Sequence, residues 1–189
     1  MTRPIFATLA ALTLAIAWIP DWEAHQGDFP AHMLRHMILV AISAPLLVAA
    51  LPILTRLTLP IALAAAIEFA VVWGFHLPGV HAATQAGGAA FVLEQALFLA
   101  AGCVIWASAL APENPLAGAG GMLLTSMHMT LLGALLVLAT DDLYAEICGR
   151  APDLGGQQLG GLLMLAIGTP IYLVAGLTLT AKVLKERPT

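Results

Sequence analysis

The sequence predicts an all-α protein, a polytopic bundle of transmembrane helices that forms one integral membrane domain over residues 1–189. Hydrophobic residues make up 60% of the chain and charged residues only 10%, and the mean hydropathy is +0.93. Apolar runs long enough to cross a bilayer as helices alternate with short polar loops. Because the longest loops, about residues 21–31 and 141–158, are too short to fold alone, no soluble domain is predicted.

Six apolar runs predict six membrane spans, since each has roughly the length of ~20 residues that a spanning helix needs. They cover about residues 4–20, 32–54, 57–75, 89–111, 119–140 and 159–181. The first run is the shortest, and it contains Ala15-Ile16-Ala17, a pattern that a signal peptidase accepts. Cleavage there would leave five spans, whereas a retained first span gives six, with both chain ends on one side.

The basic residues predict the orientation of the spans. Only Arg35 and Arg150 lie toward one side, and the others lie toward the opposite side: Arg3, Arg56, Lys182, Lys185 and Arg187. The termini are therefore predicted to be cytoplasmic, and the protein is expected in the inner (plasma) membrane. The acidic residues gather in the periplasmic loops, so the net charge of −4 should repel nucleic acid and attract cations.

The segment HMLRHM, residues 32–37, carries the clearest indication of function. His32 and His36 share one helical face, and Met33 and Met37 form a neighbouring stripe. Neutral imidazole together with soft sulfur suits Cu(I), whereas hard cations prefer carboxylate oxygen. The segment therefore predicts a copper site, with zinc as the second choice. The alternative is that the histidines form interfacial hydrogen bonds while the methionines fill gaps.

Two residues on other spans are candidates for the same site. His76 lies in WGFHLPGVH at the outer end of the third span, at about the depth of His36. It is predicted to be either a metal ligand or an anchor at the membrane interface. Glu94 lies in the outer part of the fourth span, where it could act as ligand, counter-ion or proton acceptor near His76. His81, expected on a loop, is a weaker candidate, and Cys148 in the last outer loop is weaker still.

His128, in the fifth span, is predicted to lie deeper and to need a polar partner. At ~1.5 Å per residue it lies about 12 Å deeper than His36. Either the fifth helix projects beyond the bilayer, or there are two sites, an outer one that receives an ion and a deeper one that holds or relays it. For Glu68 in the third span, a protonated carboxyl hydrogen-bonded to a neighbouring helix is expected.

No motif of a nucleotide-binding or hydrolytic enzyme is present, so no catalysis of a covalent reaction is predicted. Cys103 lies in mid-span and Cys148 in an outer loop, which makes a disulfide between them geometrically unfavourable. Glycines such as Gly133, Gly161 and Gly168 are expected to provide close helix packing.

Four segments occur in order between about residues 32 and 168: HMLRHMILVAISAPLL, WGFHLPGVH, LEQALFLAAGCVIW and GGQQLGGLLML. They resemble successive motifs of the multi-span membrane CtaG family of cytochrome c oxidase assembly factors, which is distinct from the single-span periplasmic copper chaperone of the same name. The resemblance implies a role in making haem–copper oxidase, with copper supply as the suspected task.

By position, the resemblance points to a set of site residues in this chain: His32, His36, Met33, Met37, His76 and Gln157 or Gln158. The chain also departs from the family pattern. Some members carry a histidine where Gln95 stands, an acid where Gly156 stands and tryptophan where Leu165 stands. These departures put a ligand role for the fourth span in doubt, although Glu94 or Asp153 could substitute.

The predicted mechanism is capture of Cu(I), delivered by a periplasmic copper donor, by three histidines, His32, His36 and His76, with help from Met33 or Met37. The ion then passes to a haem–copper oxidase subunit that docks in the bilayer. One alternative is an electron carrier in which His36 or His76 pairs with His128 around a b-type haem. Others are a metal transporter with His128, Glu68 and Glu94 as stepping sites, and a purely structural assembly scaffold.

Overall fold

The computed structural model describes residues 2–111 and 115–186, and for residue 186 it describes the backbone only. Arg187, one of the basic residues used to predict the orientation, lies outside the described residues. The described residues form helices and no strands, in agreement with the predicted all-α class. The helices are α1 Arg3–Trp18, α2 Trp22–Gln26, α3 Asp28–Ala50, α4 Ile61–Phe75, α5 Pro78–Gln85, α6 Gly88–Ala109, α7 Pro115–Leu138, α8 Ala145–Cys148 and α9 Leu154–Glu186.

The protein is a multi-pass membrane protein with four or five candidate spans among the described residues. Helices α3, α6, α7 and α9 are long and apolar enough to cross a bilayer, and α4 with α5 forms a fifth, bent by 72°. Helix α1 has only 16 residues, about 24 Å of helix, which is less than the ~30 Å hydrocarbon core of a bilayer. The predicted count of six spans is therefore not confirmed.

Helix α3 is not regular throughout, because residues Ile38–Ser43 form a π-helical turn before Pro45. The sequence predicts a kink here, since proline has no N–H to donate. Within the turn, the carbonyl of Val40 accepts hydrogen bonds from Trp106 Nε1 at 2.9 Å and from the Tyr172 hydroxyl at 3.1 Å. Side chains of α6 and α9 therefore hold the irregular turn in place.

Small residues bring α7 and α9 close together, as the glycine positions predict. A Cβ added at Gly161 would lie 2.8 Å from the carbonyl oxygen of Gly133, and one added at Gly133 would lie 3.1 Å from that of Gly161. Neither position accepts a larger side chain without displacing backbone. This pair of helices forms one wall of the bundle, and α3 packs against it.

Helix α1 and the following segment pack against α3 and α6. Arg35 Nε donates to the carbonyl of Ala17 at 3.2 Å, and Trp18 Nε1 donates to Gln95 Oε1 at 3.2 Å. Arg35 also forms a bidentate ion pair with Glu23 in α2. The hydrogen bond from Arg35 lowers the pKa of Glu23, and the pair holds α2 against the first half of α3.

Candidate metal centre

Four of the six histidines converge at the end of the bundle where α3 begins and α4 ends. The ring centroid of His32 lies 5.1 Å from that of His76, 4.7 Å from that of His81 and 6.4 Å from that of His36. The rings of His36 and His76 are 5.2 Å apart. All four side chains are buried. Together with Met33 and Glu94 they form what we call the histidine cluster.

Local sequence explains this convergence. One helical turn of α3 places His36 below His32 on the same face, as the spacing predicts. His76 is the cap residue at the end of α4, because Leu77 is extended ahead of Pro78, the first residue of α5. The 72° bend between the two helices then turns His81 back onto His32.

His81 is the ligand candidate that the sequence undervalued. It was expected on a loop, but it lies on α5 and is only 2% exposed. The available signal was Pro78, because proline is favoured at the first position of a helix and here it starts the turn that carries His81. The spacing alone does not show that this helix folds back onto α3.

Glu94 and Met33 complete the cluster from two further directions. Glu94 Oε2 lies 3.5 Å from His32 Nδ1 and accepts a hydrogen bond from Gln95 Nε2 at 3.1 Å. Met33 Sδ lies 3.2 Å from His76 Nε2. His76 Nδ1 bonds the carbonyl of Val72 at 2.6 Å, and because a carbonyl only accepts, Nδ1 carries the hydrogen. In the neutral ring, the lone pair of Nε2 therefore faces the sulfur.

The polar atoms of the cluster are short of partners. In the part of the chain that the structure describes, buried atoms without a hydrogen bond include His32 Nε2, both ring nitrogens of His36, His81 Nδ1 and Glu94 Oε1. Each unmade hydrogen bond costs about 1–3 kcal/mol, so such atoms are rarely gathered in one place without a reason. Ligand atoms of His32, His81 and Glu94 all lie within 4.8 Å of one another. Imidazole, thioether and carboxylate in this arrangement fit a metal ion such as copper or zinc.

Only one of the two predicted methionines lies at the histidines. Met33 faces His76, whereas Met37 packs toward α9: a Cβ added at Gly168 would lie 2.8 Å from the Met37 sulfur. Both methionines are fully buried. The thioether beside the histidines is therefore that of Met33, and Met37 fills the space that Gly168 leaves.

His128 does not join the histidine cluster. Its Nε2 lies 3.0 Å from Glu68 Oε2, which also accepts a hydrogen bond from Thr125 at 3.1 Å. The hydroxyl of Tyr172 donates to the other oxygen, Oε1, at 2.9 Å. Glu68 is thus bonded to neighbouring helices, as expected, and it lies two helical turns, about 12 Å, from His76 along α4. Of the two arrangements considered for His128, the structure has a separate, deeper polar group, the glutamate–histidine pair Glu68–His128.

Gln157 and Gln158, the double glutamine to which the resemblance points, form hydrogen bonds to the backbone of neighbouring segments. Gln157 is fully buried; its Oε1 accepts from the N–H of Leu143 at 2.8 Å and its Nε2 donates to the carbonyl of Leu136 at 3.2 Å. Gln158 Nε2 donates to the carbonyl of Val137 at 3.2 Å. Both side chains join the start of α9 to the end of α7.

Asp142 organises the loop between α7 and α9. Its carboxylate accepts hydrogen bonds from the N–H groups of Tyr144, Ala145 and Asp153 at 2.9, 3.1 and 2.7 Å, and it pairs with Arg150 at 2.8 Å. Burial raises the pKa of Asp142, but the N–H groups of Asp153 and Tyr144 outweigh this effect and leave it below its usual value. Asp153, considered as a substitute ligand, instead accepts a hydrogen bond from Gly156 N–H at 2.9 Å.

This loop covers the histidine cluster through one aromatic side chain. The Tyr144 hydroxyl donates to the carbonyl of His76 at 3.0 Å, and its ring lies 4.8 Å from that of His81. Phe29 also packs on Tyr144, with ring centroids 4.6 Å apart. Tyr144 from this loop and Phe29 from the start of α3 therefore pack together over the cluster.

Acidification is expected to loosen this loop. Because the pKa of Asp142 is lowered in the folded protein, its stabilising contribution is present above the unfolded value of ~3.9 and is lost as the pH falls through the lower folded value. The protection factors of the amide hydrogens in residues 142–153, taken relative to the intrinsic exchange rate at each pH, should therefore be large at neutral pH and fall in acid. Asp142→Asn should exchange faster at neutral pH, whereas Asp141→Asn, altered at an exposed neighbour, should behave as the wild type. Equal protection in Asp142→Asn and wild type would contradict the assignment.

A pocket of about 270 Å³ opens beside the cluster, lined by residues that include Asp28, Phe29, His81, Gln85, Cys148 and Arg150. His81 belongs both to this pocket and to the cluster. Cys103 and Cys148 are free thiols, as expected from their separation, and Cys103 is buried within the bundle. The pocket is thus a route from the surface to buried ligand atoms.

Comparison with known proteins identifies the family. A family model described as cytochrome c oxidase caa3 assembly factor (Caa3_CtaG) matches residues 2–186. Neither the curated proteins nor the solved structures give a match. The matched residues include all the motifs that carry the resemblance, the histidine cluster and the glutamate–histidine pair. The chain therefore belongs to the cytochrome c oxidase caa3 assembly factor family.

Proposed function

We propose that this protein binds Cu(I) in the histidine cluster and delivers it to a subunit of a haem–copper oxidase during assembly. The observation that carries the proposal is the set of buried, unpartnered imidazole nitrogens, with the Met33 thioether beside His76. Imidazole and thioether are ligands that favour Cu(I) over hard cations. The family supplies the assembly context, since its members are described as cytochrome c oxidase assembly factors.

The charge balance of the cluster also supports a monovalent ion. Neutral imidazoles and a thioether carry no charge, so Glu94 supplies the one negative charge when it is ionised. A single Cu(I) beside one carboxylate gives a neutral group, which lowers the cost of burying the ion in a low-dielectric bundle. A divalent ion such as Zn²⁺ would leave one uncompensated positive charge there.

The basic residues favour an orientation in which the histidine cluster faces the periplasm. Arg56, Lys182 and Lys185 belong to the opposite end of the bundle, while the acidic Asp142 and Glu23 lie at the cluster end. In this orientation, a copper donor in the periplasm reaches the pocket beside His81, and the oxidase subunit docks against the helices within the inner membrane.

Copper binding is testable on the purified protein. After anaerobic loading with Cu(I) in detergent and a wash with a competing chelator, elemental analysis should find about one copper per protein. The double variant His32→Ala/His36→Ala should retain none, and Met37→Leu should bind as the wild type because its sulfur faces α9. Absence of copper from the wild-type protein would reject the proposal and favour a scaffold.

The structure bears on two of the alternatives. A b-type haem held by His128 and an outer histidine is disfavoured, because His128 is bonded to Glu68 in a separate group. A Soret band in the purified protein would restore that alternative. Transport remains a second candidate because Glu68, which bonds His128, lies about two turns below His76 along α4. Copper uptake into proteoliposomes would favour it.

A further inference from the structure

The histidine cluster is closed to solvent, so an ion needs a defined way in and out. His32, His36, His76 and His81 are each at most 5% exposed. A ligand-exchange partner cannot reach such side chains directly, and transfer to another protein requires contact with at least one of them. His81 is the member of the cluster that lines the pocket of about 270 Å³ at the bundle end.

The same pocket contains Cys148, the last residue of α8. This thiol is half-buried, and in the described part of the chain it forms no disulfide. Thiolate is a soft ligand that prefers Cu(I), and copper is commonly handed from one sulfur ligand to the next. A cysteine alone would not indicate a site. Here the pocket also holds His81, which is 2% exposed and whose Nδ1 has no hydrogen-bond partner among the described residues.

The other pocket residues suit passage of a cation. Asp28 contributes a negative charge, and the charge of Arg150 is compensated by its ion pair with Asp142. Gln85 Nε2 lies 3.3 Å from His81 Nε2 and fixes the ring at the pocket wall. Phe29 lines the pocket and also packs on His32 and His81, with ring centroids 6.2 and 5.2 Å apart. Phe29 therefore stands between the pocket and the deeper ligands.

We propose that Cys148 and His81 form a transfer port for Cu(I), through which the ion enters and leaves the histidine cluster. The inference rests on the proposed copper-binding function. When an incoming Cu(I) binds Cys148, the donor's sulfur–copper bond breaks and the Cys148 thiol releases its proton to water. When the ion moves on to His81, the sulfur–copper bond breaks and the thiolate takes a proton back from water. Copper stays Cu(I) throughout, so no oxidant or reductant is needed.

If Cys148 and His81 form the transfer port, loss of the Cys148 thiol should slow copper exchange but leave the amount of bound copper unchanged. We expect Cys148→Ser to retain the same amount of copper as the wild type after loading. The rate at which a coloured Cu(I) chelator removes the ion, and the rate of loading from Cu(I)–glutathione, should fall at least tenfold. Cys103→Ser is the matched control: it alters the other cysteine, which is buried in the bundle, and should exchange copper at the wild-type rate.

A chemical test on the wild-type protein avoids the risk that a variant misfolds. N-ethylmaleimide should modify the half-buried Cys148 and slow copper removal, and the Cys148→Ser protein should be insensitive to the reagent. Normal copper content with unchanged exchange rates in Cys148→Ser would overturn the port while leaving copper binding intact. A wild-type protein that binds no copper would instead overturn the proposed function, so the two failures are distinguishable.

Discussion

His36→Ala is expected to abolish stable copper retention and to lower the activity of the assembled oxidase without unfolding the protein. His36 is fully buried, and neither of its ring nitrogens has a hydrogen-bond partner in the described part of the structure. Removing the ring therefore breaks no hydrogen bond and leaves no new unpaired group behind. It does remove a ligand, and loss of a residue that merely supports a ligand already costs 10–100-fold in metal affinity, so a loss of at least ~100-fold is expected.

The measurements for His36→Ala are copper content after chelator washing, the thermal unfolding midpoint in detergent, and oxidase activity in cells that carry the variant. A small decrease in midpoint is expected, because Phe98 stacks on the His36 ring at 4.2 Å and loses that contact. Met37→Leu, one residue along the same helix, is the control and should leave copper content and oxidase activity unchanged. If His36→Ala keeps its copper, the ligand assignment fails.

The helices and part of the cluster can be predicted from the sequence, because they depend on the hydropathy and helical spacing of residues close together in the chain. Apolar runs set where α3, α6, α7 and α9 lie, and the helical period puts His32 above His36. These features need no knowledge of how one helix packs on another.

The rest of the cluster depends on tertiary packing and was not predictable with the same certainty. His81 reaches His32 only because α5 folds back by 72° after Pro78. The sequence does not distinguish Met33 from Met37, since the two lie one turn apart on one stripe. Their roles differ because Gly168 on α9 leaves room for the Met37 sulfur, while Met33 is directed to His76.

The resemblance to the family indicates a set of residues, and the structure adds the contacts that each of them makes. The double glutamine looked like part of the site, yet Gln157 bonds Leu143 and Leu136 and holds the loop over the cluster. A glutamine that holds a loop and a glutamine that binds a metal look the same in a sequence. Only the hydrogen-bond partners separate them.

We expect the glutamate–histidine pair Glu68–His128 to matter most for the stability of the fold, whereas the histidine cluster matters most for copper binding. Glu68→Ala would leave two buried groups without their acceptor, His128 Nε2 and the Thr125 hydroxyl, and the Tyr172 hydroxyl would keep only the carbonyl of Val40. Each such loss costs about 1–3 kcal/mol, and the cavity left by the side chain adds to this. We therefore expect the free energy of unfolding to fall by more than ~3 kcal/mol.

Glu68→Gln is the matched variant, because it keeps the shape of the side chain and one acceptor oxygen for Thr125 or Tyr172. It should lose less than half as much stability as Glu68→Ala, measured by denaturant unfolding in detergent micelles, and should still retain copper after chelator washing. Wild-type stability in Glu68→Ala would show that the hydrogen bonds of the pair contribute little. Loss of copper from a well-folded Glu68→Gln would instead link the pair to the metal, and would favour a path through the bundle over a closed site at its end.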